Sequence, residues 1–464
     1  METRGLDPVP DEERTGRVRA LFPTWAAANM TVLLLTVGAG LVVLNRLSFW
    51  QVLVVAVTAP LVSFGLVGFV SVAGKRGGAP GMALSRAVFG QRGNLAPGAL
   101  IWVARWGWET MNAVTGAYAL LTVGDVLFGV RTTPALIMGT LLAFVAGSFL
   151  LSGLGLRALR VCCTWSAYLF GAFSVLVLGH LAVTAPWRLV LDRPPGPASM
   201  VIAGIGILTA GGISWAPSGP DFTRYLPRTA PGPALVAFTV GGAAVVLLPM
   251  VLMGAVMAEA TPALAVTGDP VSFIGALLPT WLSVPYLIVT ITGMVLINAM
   301  SMYSAGFTAQ TLGFSLPRAW AVGVNAAISL FLGALLMMVA SSFIESFVSF
   351  LNLLAVTFSA WIGVFATDML RGRSYDPVAL MDTTPASAYW YTGGVAWTAV
   401  AAWAAGLAVG LLFTGVEWFT GPLAGTWPGR SGLGWAVTVL VSGGLYAALP
   451  RPGQGRGAAA PLHI

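Results

Sequence analysis

Apolar residues run through this chain in long blocks, divided by short polar stretches that carry most of the charge. A helix needs about 20 mainly apolar residues to cross a hydrocarbon layer roughly 30 Å thick. Blocks of that size fall at 22–47, 50–74, 97–124, 133–155, 159–185, 198–217, 233–258, 282–309, 317–341, 344–367, 392–414 and 432–450. They are continuous rather than alternating with period two, which predicts helices and argues against a membrane barrel. The pattern therefore predicts an all-α integral membrane protein with about 12 transmembrane helices. Two shorter apolar pieces, Ala83 to Phe89 and Pro270 to Leu278, are too short to cross and are expected to lie at the interface or to re-enter.

The sixth block is interrupted. Residues Ala210-Gly211-Gly212-Ile213-Ser214-Trp215-Ala216-Pro217-Ser218-Gly219-Pro220 concentrate glycine and proline, each of which disfavours an unbroken helical ladder. Within hydrocarbon such a break survives only where protein buries it or where it lines a watery cavity. The first block also carries irregular features, Asn29, Gly38 and Gly40.

The first five blocks, 22–185, occupy about as much chain as the next five, 198–367. An odd number of crossings gives the two sets opposite orientations, the layout of an inverted repeat in which discontinuous helices meet at the midplane. Residues 392–450 would add two peripheral C-terminal helices. Residues 1–21 and 451–464 would form polar tails.

Composition sharpens this picture. The chain of 464 residues is 57% hydrophobic and 8% charged, against about 25% charged in a soluble domain. Its net charge of +7 is spread over short segments rather than one basic patch, so no nucleic-acid partner is expected. With the N-terminus in the cytoplasm, only Arg46, Arg131, Arg188, Arg193 and Arg430 fall outside. That asymmetry obeys the positive-inside rule and predicts a multi-pass protein of the cytoplasmic membrane with both termini inside. Residues 1–19 lack the apolar segment and cleavage site of a removable signal peptide.

Enzyme chemistry finds no support. There are two histidines, no zinc-type pair and no glycine-rich phosphate loop followed by lysine, so neither catalysis, a metal centre nor an organic cofactor is expected. Cys162 and Cys163 are adjacent within a span, which suits packing rather than a disulfide framework. A monomer is expected.

Candidate chemistry lies on three spans. In the third, Trp108 and Asn112 are four apart and share a helical face. Indole stacks on flat rings while an amide reads their carbonyl and N–H edges, so the pair suits a planar, polar, neutral ligand; tryptophan also serves as interfacial belt or packing. Glu109 costs on the order of 3 kcal/mol within a span and calls for a partner or a pathway. Arg105, one turn earlier, offers a structural ion pair, and the alternative is a protonatable group that couples transport to protons. In the eighth span, Asn298 and Ser301 are i, i+3 neighbours suited either to a ligand or to helix packing. Gly211, Gly212 and Trp215 belong to the sixth. Asp368, followed by Arg371 and Arg373, reads as a membrane boundary, and His180 as an isolated histidine.

Several motifs occur together in order: Ala27-Ala28-Asn29-Met30-Thr31, then Gly81 with Ser85-Arg86-Ala87-Val88-Phe89-Gly90 and Gly93, then Gly107-Trp108 with Asn112 and Gly116. They continue with Asp221-Phe222-Thr223-Arg224-Tyr225-Leu226-Pro227, Asn298 to Tyr303, and Phe350-Leu351-Asn352-Leu353-Leu354. Over most of residues 20–375 the chain thereby resembles the nucleobase:cation symporters of the purine, cytosine, allantoin and hydantoin permease type. The resemblance implies a leucine-transporter-type fold, a 5+5 inverted repeat with two extra C-terminal helices. It implies import of a planar nitrogen heterocycle, such as cytosine, a purine, allantoin or a hydantoin, with Na⁺ or H⁺ by alternating access. By the same resemblance Trp108 would stack on the substrate, Asn112 would hydrogen-bond it, and Trp215 is the nearest match to a second aromatic plate. Ser301 takes the position of a substrate-reading asparagine. Carbonyls near Ala27 and Met30 would serve a sodium ion, yet the matching part of span eight, Val295-Leu296-Ile297, is aliphatic, so proton coupling through Glu109 stands beside sodium coupling. The alternatives are an amino-acid or amine symporter of the same fold and a non-transporting membrane sensor.

Overall fold

A computed structural model describes residues 5–265, 270–314, 318–338, 343–416 and 418–452. Most of the C-terminal tail expected at 451–464 lies outside these residues. Among them, nine helices are long and apolar enough to cross a membrane, and three shorter apolar helices complete twelve crossings. Span one is split into Leu21–Ala27 and Leu33–Val43. Spans two to five are Phe49–Gly77, Leu95–Phe128, Pro134–Gly153 and Leu156–Thr184. Span six runs over Ala198–Ile213 and resumes as the short turns Ala216–Ser218 and Gly219–Thr223. Spans seven to ten are Gly232–Ala260, Thr280–Thr311, Arg318–Met338 and Phe343–Leu370. Trp397–Leu412 and Gly434–Ala448 are spans eleven and twelve. The short pieces fold as Gly81–Phe89 and Pro270–Leu277.

Local chemistry sets many of these ends. Ser48 and Gln51 form a reciprocal capping box at the start of span two, and the Gln51 side chain also exchanges hydrogen bonds with the backbone of Gly196 at 2.7 and 2.8 Å. Span two ends at Gly78, whose φ of 68° is left-handed and whose Cα is overlain by the Arg14 guanidinium, leaving no room for a side chain. Thr133 caps span four ahead of Pro134. Span eleven starts at Trp397 rather than at 392, because Gly393 and Gly394 take positive φ and Thr392 bridges to Val395.

Spans one, two, six and seven pack on one another, as do spans three, four, eight and nine. Spans ten, eleven and twelve pack together at one side. Apolar side chains such as Val183, Phe331 and Leu440 stand exposed on the outer faces of their spans, where hydrocarbon rather than water would meet them. The described N-terminal segment and the last described residues share one face of the bundle, where Tyr375 lies against Gly77 at the end of span two and Arg451 donates to Arg371 O. There the N-terminal segment straps neighbouring elements: Val9 N–H donates to Gly78 O at 2.8 Å, Gly16 N–H to Tyr225 O at 2.9 Å, and Arg224 to Gly5 O at 2.9 Å. Asp11 accepts from Arg228, which holds its carboxyl below the ordinary range.

Candidate functional site

The two broken spans meet in the interior. Span one breaks over residues 28–32, where the Asn29 amide turns back to donate to Trp25 O at 2.9 Å. Span six breaks at Ser214, whose hydroxyl donates to Gly211 O at 2.6 Å. Each break presents helix ends, whose unpaired carbonyls and N–H groups are free to face a ligand. Between them lies a cavity of about 80 Å³.

Of the residues expected to bind a ligand, Trp108, Asn112, Gly211, Gly212, Trp215 and Ser301 all line this cavity. Trp108 comes from span three and meets Phe350 edge-on at 5.8 Å between ring centroids. Trp215 stands nearly perpendicular to Trp25, at 5.9 Å and 78°. Asn112 has no hydrogen-bond partner among the described residues, so its amide is available to a guest. The two glycines of span six differ in use. A Cβ on Gly211 would stand 3.9 Å from the edge of Trp108, whereas one on Gly212 would run into Ser63 and Phe64 of span two. Gly211 therefore leaves space in the cavity, and Gly212 lets two helices approach.

Three further groups of expected residues are placed by the geometry. Asn298 does not face the cavity: it is fully buried and its amide donates to the Glu109 backbone carbonyl at 3.0 Å, tying span eight to span three. Ile297 and Ser301, four apart on one face, take the cavity-facing positions of that helix, whereas Asn298, one residue on from Ile297, is turned about 100° around the axis. Arg105 does not pair with Glu109. It lines the cavity and donates to Ser218 just past the break in span six, while the Glu109 carboxylate accepts from Ser301 Oγ at 2.9 Å. Ala27 and Met30 lie beside the cavity rather than in its lining. A Cβ on Gly293 of span eight would come within 2.9 Å of Met30 O, so that carbonyl faces span eight where it carries no side-chain oxygen. The next turn brings Leu296 and Ile297.

Below the cavity, toward the face that carries the termini, Asp221 joins three elements. Its Oδ1 accepts from Gly81 N–H at 2.8 Å, its Oδ2 accepts from Ser304 Oγ of span eight, and its own turn belongs to span six. Cys163 is buried 3.7 Å from the Met300 sulfur, a packing role. Asp368 binds Arg373 at 2.6 Å and accepts from Tyr446 at 2.7 Å, holding spans ten and twelve together at their shared end. No grouping of three or more His, Cys, Asp or Glu able to hold a metal occurs among the described residues.

Sequence reasoning did not single out Leu34, Ile207, Leu247 or Phe358, which also line the cavity. These are ordinary aliphatic or aromatic residues of a span, and only the meeting of two broken helices marks them.

The family model described as permease for cytosine/purines, uracil, thiamine, allantoin matches residues 8–433. YxlA of Bacillus subtilis (strain 168), a protein assigned as a purine-cytosine permease, is 24% identical over 97% of this chain and 96% of its own length. Among solved structures, Mhp1, a nucleobase-cation-symport-1 family transporter, in a closed conformation with bromovinylhydantoin bound, is 20% identical. It superposes with a TM-score of 0.74, covering 96% of this chain and 94% of that one. MhsT in complex with L-phenylalanine, at 12% identity, reaches 0.58 over 93% and 99% of the two chains. These likenesses establish the leucine-transporter-type fold.

Proposed function

The chain belongs to the family of permeases for cytosine/purines, uracil, thiamine and allantoin, and from that premise we propose that it imports a planar nitrogen heterocycle by proton symport. It is a multi-pass membrane transporter, not an enzyme. The observation that carries the reading of the site is the pairing of Trp108 with the unengaged amide of Asn112 on one wall of the central cavity.

Trp108 stacks on the ring and Asn112 reads an edge carrying both a donor and an acceptor. Gly211 leaves room for the ring beside Trp108, and Trp215 closes the wall contributed by span six. The heterocycle is of the nucleobase, allantoin or hydantoin class. Loading from outside and release inside follow alternating access around this fixed site. The protein works in the cytoplasmic membrane with both termini inside, a reading supported by the arginines that crowd the face carrying them.

Proton coupling is favoured by what stands around Met30. A sodium ion needs several oxygen ligands, and Gly293, Leu296 and Ile297 of span eight supply no side-chain oxygen opposite that carbonyl. Glu109 is a buried carboxylate one hydrogen bond from Ser301, itself on the cavity wall, and so can sense both proton and substrate.

The test is a thermal-shift screen of purines, pyrimidines, hydantoins and vitamins, followed by uptake of the best hit into proteoliposomes. Trp108→Ala should lose the hit's stabilising shift; full retention overturns the stacking role. An inward pH gradient without sodium should drive accumulation, and Glu109→Gln should abolish that drive. Uptake by Glu109→Gln equal to wild type at every pH would remove Glu109 from coupling.

A further inference from the structure

A second hollow opens on the outer flank of the bundle, where span five faces the first segment of span one and the middle of span seven. Its floor is Gly171: a Cβ built there meets nothing within 4 Å, although the residue lies in the middle of a membrane span. Its rim is apolar and outward-facing, with Tyr168 71% and Val175 66% exposed on span five and Val245 52% exposed on span seven. On span five the hollow runs from Thr164 to Leu178, about 21 Å at 1.5 Å per residue. That exceeds one leaflet's share of a hydrocarbon layer roughly 30 Å thick.

By chain position, one end of this groove lies close to cations. Phe22, which lines it, follows closely on Arg17 and Arg19, and Thr164 follows Arg157 at the head of span five; all three arginines are exposed. We propose that the groove holds an acyl chain of an anionic phospholipid from the leaflet facing the termini, with its headgroup at Arg17, Arg19 and Arg157. A groove at hydrocarbon depth excludes water-soluble ligands, and the exposed arginines are complementary to a phosphate. The position carries a functional consequence. Ala26 lines the groove and Ala28 lines the central cavity, so the last turn of the first segment of span one separates the lipid from the substrate site.

The full chain, purified from vesicles of phosphatidylglycerol and phosphatidylcholine in equal parts, is assayed for retained phospholipid by native mass spectrometry. Wild type should retain phosphatidylglycerol over phosphatidylcholine. Gly171→Leu, which fills the groove without a clash at Cβ, should lose the retained lipid whatever its headgroup. Changing Arg17, Arg19 and Arg157 to Gln should keep an acyl chain but reduce the preference for phosphatidylglycerol by about fivefold per arginine. An intact thermal shift with the best heterocycle confirms that each variant is folded and tests the central site separately. Equal retention by wild type and Gly171→Leu overturns the acyl site, and equal retention of both lipids by wild type overturns the headgroup assignment.

Discussion

Both discontinuous spans open at the cavity, yet they break for different reasons. In span six the cause is written in the chain itself. Gly211 and Gly212 weaken the helix, Pro217 and Pro220 remove two N–H donors, and a tight turn closes from Trp215 N–H to Gly212 O at 3.1 Å. In span one the broken residues, 28–32, include neither glycine nor proline. There the break is held by an asparagine capping Trp25 O and by glycines that let spans cross at close range. A Cβ on Gly38 would strike the carbonyl of Val251, one on Gly254 of span seven would strike that of Leu35, and one on Gly293 would press on Met30. Span six is broken from within, span one from outside.

The largest effect that can break this contrast comes from Gly38→Ala. Its added methyl meets rigid backbone of span seven and should cost about 3 kcal/mol or more, near the upper end of overpacking effects. The expected result is a large fall in thermal midpoint together with weaker heterocycle binding, because span one carries part of the cavity wall. A variant as stable as wild type would mean that span one does not depend on that crossing. Gly211→Ala should do the opposite at span six, with a stability change below about 1 kcal/mol, since alanine favours helix and meets only the edge of Trp108. Heterocycle affinity should nonetheless fall by about tenfold, as the methyl narrows the space beside the indole. A fall in stability without a loss of affinity would show that Gly211, like Gly212, serves packing.

The same contrast explains what could be read from the chain alone. Twelve crossings, their order and the break in span six follow from local pattern, as does the shared face of Trp108 and Asn112, four residues apart. The break in span one was visible only as Asn29, Gly38 and Gly40, because its causes lie partly on spans seven and eight. Asn298 and Arg105 show the same limit. Helical spacing says which residues share a face, but not whether that face meets a cavity or another helix. Asn298 turned to the Glu109 carbonyl, and Arg105 crossed to Ser218 on a different span, more than a hundred positions away in the chain.

Asp221 carries one further consequence. Its two carboxylate oxygens hold the backbone of Gly81 and the hydroxyl of Ser304, while the residue itself belongs to the second half of span six. Pulling any one of these elements away leaves a buried anion short of a partner, a state costly enough to be thinly populated. Separation on that side of the bundle should therefore be cooperative: the elements part together or stay together, with no half-open leak between the cavity and the compartment that holds the termini.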